Sequence, residues 1–220
     1  MNVEDAIKER RSVRSYSDKD VKQDELIKVL NAGRFAPSSG NIQNWVFIVV
    51  RDEAKKGEIA RACLNQIWMV QAPVHIIICN DLVAANRAYG DRGEKFYSVQ
   101  NCAVAAQNMM LEAEELGLAT CWVGSFDNEG IKRILDIPSG VNPEIIITLG
   151  HALGKTRSHA SRHDLSYLVF FESWGNRKLP KEFMLEKAEK ETREITEKIK
   201  EEVKKKGIME KIKKAVKRHD

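Results

Sequence analysis

Three polar side chains in the run Arg10-Arg11-Ser12-Val13-Arg14 have the types and spacing to act together. The run begins where a helical pattern gives out. In an extended chain residues 10, 12 and 14 project to one side while Val13 turns toward the core. Two guanidiniums and a hydroxyl then converge. That set suits a phosphate monoester, because Arg forms charge-assisted, often bidentate bonds to its oxygens and Ser adds a neutral one. Standing alone, the run would read first as a solvated basic stretch. It does not stand alone: Ala36-Pro37-Ser38-Ser39-Gly40-Asn41-Ile42-Gln43-Asn44-Trp45 sets small polar residues and backbone amides on a stiff loop before a strand pattern, a common place for ligand contacts.

Other chemistries find less support. Of the histidines at 75, 151, 159, 163 and 219 only His159 and His163 stand at HxxxH spacing and none forms an HxH pair, and Cys63, Cys79, Cys102 and Cys121 form no CxxC pair. Each cysteine sits inside an apolar pattern, as buried reduced thiols do, so neither a metal site nor a disulfide framework is expected. No nucleophile-elbow context is present, and Gly150-His151-Ala152-Leu153-Gly154 lacks the GxGxxG of a dinucleotide fold.

The elements that must position the two polar segments follow from pattern. A first helix is expected over Val3 to Arg10 with Asn2 as N-cap and Asp5 as its partner, and a second from Asp24 with Leu26, Ile27, Val29 and Leu30 on one stripe. Trp45 to Val50 reads as a buried strand. Then come a helix from Asp52 to Met69, a strand from Val74 to Cys79, a polar region from Asn80 to Lys95, and a long helix ending at Gly117, which suits the C′ position. A strand over Thr120 to Val123, a short helix over Asn128 to Leu135 closed by Pro138, and a strand over Ile145 to Leu149 complete the alternation. Strands interleaved with helices argue for layered α/β packing.

The chain has 220 residues and a formal net charge of +4, enough for one sizeable core. Residues 181–220 carry 14 Lys/Arg against 10 Asp/Glu, and the remainder carries 22 of each. A neutral body gives no reason to expect a nucleic-acid partner. From Pro180 onward the pattern is helical, with Leu185, Ala188, Ile195, Ile199 and Val203 forming a narrow seam amid Lys and Glu. Such a seam covers its own body or a partner subunit. No apolar run approaches the roughly 20 residues of a bilayer span, and Met1 to Asp5 carries acids where an export signal would place Lys or Arg. A cytoplasmic protein is expected.

The two polar segments together resemble the signatures of the nitroreductase (flavin reductase) family, which opens with RxSxR and continues with APSxxNxQxW. Further matches follow in register: Asn65 before Gln71-Ala72-Pro73; Ala105-Ala106-Gln107-Asn108 and Leu116-Gly117-Leu118 on the long helix; Trp122-Val123-Gly124-Ser125-Phe126-Asp127; and Leu149-Gly150-His151 with Arg162. The resemblance covers about residues 1 to 175, leaving 176–220 as a charged helical extension. It implies an α+β fold, a three-layer α/β/α sandwich with a mixed central sheet, in an intertwined homodimer holding FMN at the subunit interface.

It also implies roles. Arg10 and Ser12 would hold the FMN phosphate with Arg162, and Arg11 would assist. Arg14 would reach either that phosphate or the O2 edge of the flavin ring. Pro37, Ser38, Ser39 and Asn41 would contact the flavin held by the other subunit, Asn65 would bond its pyrimidine edge, and the backbone at Val123 and Gly124 would offer an amide to N5. The implied reaction passes hydride from NADH or NADPH, stacked on the flavin, to a small acceptor such as a nitroaromatic or a quinone, with no catalytic side chain. Kept beside it are the same FMN fold with a dehalogenating or flavin-cleaving activity, and a non-catalytic flavin module whose tail binds nucleic acid or protein. Asn44 stands where the family usually has Pro, which should loosen the loop by freeing φ. The stretch Asp81 to Tyr97 lies where relatives cap the substrate and is too variable for roles to be carried over.

Overall fold

The computed structural model describes residues 1–154 and 161–177. At its centre lies β2 (Val74–Asp81), buried along seven of its eight residues. A strand covered on both faces reads as a continuous apolar run rather than an alternation, and Val74 to Cys79 is such a run. β2 pairs antiparallel with β1 (Trp45–Val50) and with β4 (Val141–Gly150), and β3 (Ala119–Val123) pairs antiparallel with β4, giving the order β1-β2-β4-β3. The parallel component among the described residues is a single bridge from Ser12 to Thr120. It lays the arginine run along β3.

The pleat divides the core in two. Ile76 and Ile78 pack with Leu26 and Val29 of α2 (Gln23–Arg34) and with Ala105, Ala106 and Met109 of α5 (Ser98–Glu115). Ile77 and Cys79 pack on the opposite side with Ile59 and Ala60 of α3 (Glu53–Ala62) and Ile131 of α6 (Asn128–Leu135). Helices on both faces of one sheet make the expected three-layer sandwich. α2 and α5 approach closely at Gly33, where a Cβ would lie 2.9 Å from Met109 Cγ and 3.2 Å from Phe47 Cζ.

Two helix ends follow the local rules. Asn2 Oδ1 accepts the Asp5 amide at 2.9 Å and opens α1 (Val3–Glu9). Gly117, at φ +70°, closes α5 with bonds from its amide to Glu114 O and from the Leu118 amide to Ala113 O, the paired bonds of a Schellman motif.

Three expectations fail. The helix expected from Asp52 to Met69 stops at Ala62, because Leu64 and Asn65 turn left-handed (φ +55° and +58°), and a separate 3-10 turn covers Ile67–Gln71. The polar stretch after Asn80 is largely helical: α4 (Leu82–Arg92), kinked at Gly90, runs into a π turn over Gly93–Tyr97 that leads directly into α5. β4 begins at Val141 rather than Ile145, admitting Pro143 where the register with β2 shifts between Ile78 and Cys79; Pro is tolerated at such an irregularity.

The chain divides into the units Met1–His159 and Ala160–Asp220. Within the second, Asp164 opens α7 (Leu165–Leu168) by accepting the Ser166 amide, and the Arg177 guanidinium lies 4.9 Å from the Phe170 ring centre. The expected helix beyond Pro180 lies outside the described residues. No helix of the described residues is long and apolar enough to cross a membrane.

Candidate active site

The arginine run is held by its backbone. The Val13 amide donates to Thr120 O at 2.9 Å, and Val13 packs beside Tyr16, Ala72 and Ala119 while Ser12 and Arg14 stay exposed. The alternation is the one the extended reading requires. Burial raises the pKa of the Cys121 thiol on β3, and the charges of Arg14 and Arg10 and the Ser12 hydroxyl oppose that rise. Neither Arg10 nor Arg14 pairs with a carboxylate among the described residues. Arg11 goes elsewhere. Its Nη1 donates to the carbonyls of Lys8 (2.6 Å) and Arg10 (2.7 Å), capping α1 where carbonyls lack partners.

Beneath Arg14 lies Trp68, with the guanidinium 5.8 Å from the ring centre. Trp68 belongs to the 3-10 turn, which is gripped from below by two buried side chains. His75 Nε2 donates to Met69 O at 2.9 Å, and Lys56 Nζ donates to Ala72 O at 2.9 Å and Val70 O at 3.3 Å while pairing with Glu53 at 2.8 Å. Lys56 is 1% exposed and His75 fully buried. Burial, helped by the charge of Lys56, holds His75 down at about 4 against its hydrogen bond to Met69, so at neutral pH the ring is uncharged. Gln71 Oε1 accepts the Tyr16 amide at 3.2 Å, joining this turn to the arginine run. Asn65 opens the same segment with an exposed side chain.

The loop Pro37–Asn41 is bonded to α5 instead. Asn101 Oδ1 accepts the Ser39 amide at 3.1 Å and the Ser39 hydroxyl at 3.4 Å, and Ser38 Oγ accepts the Gln43 amide at 3.0 Å. Asn41 adopts φ +58°, and its Oδ1 accepts from Gln43 Nε2 at 3.1 Å. Pro37, Ser38 and Ser39 line a cleft of ≈ 510 Å³ with Gln100, Asn101, Ala103 and Val104. Asn44 corrects an expectation. It does not loosen the loop but is buried, accepting from Asn101 Nδ2 at 2.7 Å and donating to Asn80 Oδ1 at 2.8 Å.

Val123 closes β3 in the core, and Gly124 follows it exposed, with open space apart from the Trp122 indole 3.4 Å from where a Cβ would stand. The structure thus joins Arg10, Ser12, Arg14 and, through Trp68, the Asn65 segment around β3. Among the described residues, no hydrogen bond, ion pair or ring contact links the Pro37–Asn41 loop to this group. Arg162 belongs to the second unit, exposed, with Nη1 donating to Ser161 O at 3.2 Å.

The nitroreductase family model matches residues 7–70 and 58–151. The chain belongs to the nitroreductase family. Its members are oxidoreductase enzymes. A protein of Methanothermobacter thermautotrophicus, provisionally named NADH dehydrogenase/NAD(P)H nitroreductase, is 36% identical over 155 residues, spanning 69% of this chain and 78% of its own. The FMN reductase [NAD(P)H] of Bacillus subtilis is 28% identical over 182 residues, spanning 74% and 73%. An FMN-dependent nitroreductase structure from Clostridium difficile superposes with a TM-score of 0.67 at 27% identity, covering 77% of this chain and 98% of that one.

Sequence reasoning missed Trp68, Lys56, His75, Asn44 and Asn101 as supports. Asn101 carried a signal: it shares the stripe of Cys102, Ala105, Ala106 and Met109, and a polar side chain on a buried stripe needs partners. Lys56 carried none, since a lysine on an otherwise charged helix reads as solvent-facing.

Proposed function

We propose that this nitroreductase-family chain is an FMN-dependent oxidoreductase that passes hydride from NADH or NADPH to a small acceptor such as a nitroaromatic or a quinone. It works as a homodimer with one noncovalent FMN per subunit at the interface. The observation that carries this reading is the run from Arg10 to Arg14 held along β3 by the Val13–Thr120 bond, with Ser12 and Arg14 exposed and neither Arg10 nor Arg14 in an ion pair among the described residues. Two cations and a hydroxyl suit one phosphomonoester. When bound, FMN supplies the hydride-accepting N5.

The chain's own residues do the rest. Arg10 and Ser12 anchor the phosphate, joined by Arg162 as the family resemblance implies. Arg14, steadied on Trp68, reaches either that phosphate or the O2 edge of the ring, where a positive charge favours the reduced form. Asn65 and the backbone at Val123 and Gly124 orient the ring. Ser38, Ser39 and Asn41 serve the partner's cofactor, which accounts for a loop bonded to α5 and not to the arginine run of its own chain. α4 and the π turn line the acceptor side. Heat-released supernatant of purified protein, separated by chromatography, should yield FMN in a 1:1 ratio with subunits. FAD, or no flavin, contradicts the proposal.

A further inference from the structure

Four buried polar side chains form a hydrogen-bonded chain whose direction is fixed at both ends. The Ser39 amide can only donate, so Asn101 turns Oδ1 toward it and Nδ2 toward Asn44 Oδ1. Asn44 Nδ2 then donates to Asn80 Oδ1 (2.8 Å) and to the Ser98 carbonyl (3.3 Å), and Asn80 Nδ2 donates to Ser98 Oγ (2.8 Å) and Glu144 Oε1 (3.0 Å). Ser98 Oγ donates to the Glu94 carbonyl at 2.5 Å, an oxygen that can only accept. Asn44, Asn80, Ser98 and Asn101 are all at most 4% exposed. Amide orientations in a protein are otherwise assignments; here the two backbone groups dictate them.

The chain therefore runs one way, from Ser39 on the loop to Glu94 in the π turn. On the outside the same loop approaches α4, where a Cβ on Gly40 would overlap the Tyr89 hydroxyl, and the Tyr89 ring packs edge-on against Tyr97 of the turn at 5.5 Å. Around that turn Arg92 lies over Phe96 (5.1 Å) and Tyr97 (5.4 Å) and donates to the Tyr97 hydroxyl at 2.9 Å, forming an aromatic wall.

We infer that Asn44, Asn80, Ser98 and Asn101 are positioning residues that couple the loop at Ser39 to the aromatic turn Gly93–Tyr97. The inference rests on the proposed reading, in which the loop touches the cofactor and the turn lines the acceptor side. The consequence is mechanical: loosening either end loosens the other, since satisfied buried polar networks act as units.

The test uses Ser98→Ala, Asn101→Ala and the double variant, with hydrogen exchange of the flavin-free protein and FMN titration as separate readouts. Ser98→Ala should speed amide exchange at residues 38–43, which its hydroxyl does not touch, as well as at 93–98. It should also weaken FMN binding roughly fivefold, about the worth of one buried hydrogen bond. The double variant should lose less affinity than the product of the single losses. Faster exchange confined to 93–98, or losses that multiply, would overturn the coupling. The exchange readout needs no flavin, so a wild type that binds no FMN contradicts the proposed function while leaving this inference decided by exchange alone.

Discussion

The Arg14 guanidinium rests over the Trp68 ring, 5.8 Å from its centre, so a cation from the N-terminal run is steadied by a side chain from the turn between α3 and β2. Trp68→Leu keeps an apolar filler and removes the ring face. A cation–π contact of this kind is worth about 1 kcal/mol, so the FMN dissociation constant should rise roughly fivefold in fluorescence titration. An unchanged constant would show that Arg14 does not reach the cofactor.

Arg10 and Arg11 are adjacent in sequence and differ in what they hold. Arg10→Ala should give a folded but nearly colourless protein, since removing one partner of a desolvated charge pair costs about 2 to 5 kcal/mol. Arg11→Ala should retain flavin and lose some stability instead, because its guanidinium caps the carbonyls of Lys8 and Arg10. Equal loss of flavin in both variants would place Arg11 on the phosphate.

His75 makes stability pH-dependent. Its folded pKa is about 4 against 6.5 for the free side chain, so as pH falls below 6.5 the unfolded chain takes up a proton that the native state refuses. Stability present above pH 6.5 is thus lost between 6.5 and about 4, to the extent of about 3 kcal/mol. His75→Gln keeps a donor for Met69 O and removes the titration. Denaturant midpoints measured across that window should fall less in the variant; parallel curves would assign the acid sensitivity to other groups.

Gly33→Ala should destabilise the protein by about 1 to 3 kcal/mol, the usual cost of overpacking. The added methyl meets Met109, fully buried on α5, and the Phe47 ring. Calorimetry checks this, and an unchanged melting temperature would mean that α2 and α5 can separate freely.

In the proposed dimer each site is divided between the arginine run of one chain and the loop on α5 of the other. Sedimentation of the flavin-loaded protein should show a dimer, and truncation after Asn176 should lower the melting temperature while leaving FMN and reductase activity mostly intact. A flavin-bearing monomer would contradict the shared site. A truncated protein with unchanged melting but lost nucleic-acid or liposome binding would assign the tail to another partner.

What the sequence made legible was local or periodic. β1 runs from Trp45 to Val50 and α6 from Asn128 to Leu135, as expected, and Asn2 and Gly117 punctuate their helices as their residue types require. The misses share one cause, long-range partners. Ile67, Trp68 and Met69 continue a helical spacing beyond Ala62, yet the chain turns at Leu64 and Asn65, and Lys56 and His75 hold the carbonyls of the following turn. Polar residues at 86, 87, 91 and 92 and a glycine at 90 conceal a helix whose buried residue is Ala85 alone. Asn44 reads as a flexible substitute for proline until Asn80 and Asn101 are brought beside it. The anchor residues were visible as a motif, whereas the side chains that support them were not.

Anaerobic addition of NADH and of NADPH to the purified protein, followed by its visible absorption spectrum, tests the central claim most directly. The account predicts that at least one nucleotide bleaches the flavin band and that a quinone or nitroaromatic restores it. A flavin that stays oxidised with both nucleotides would contradict it.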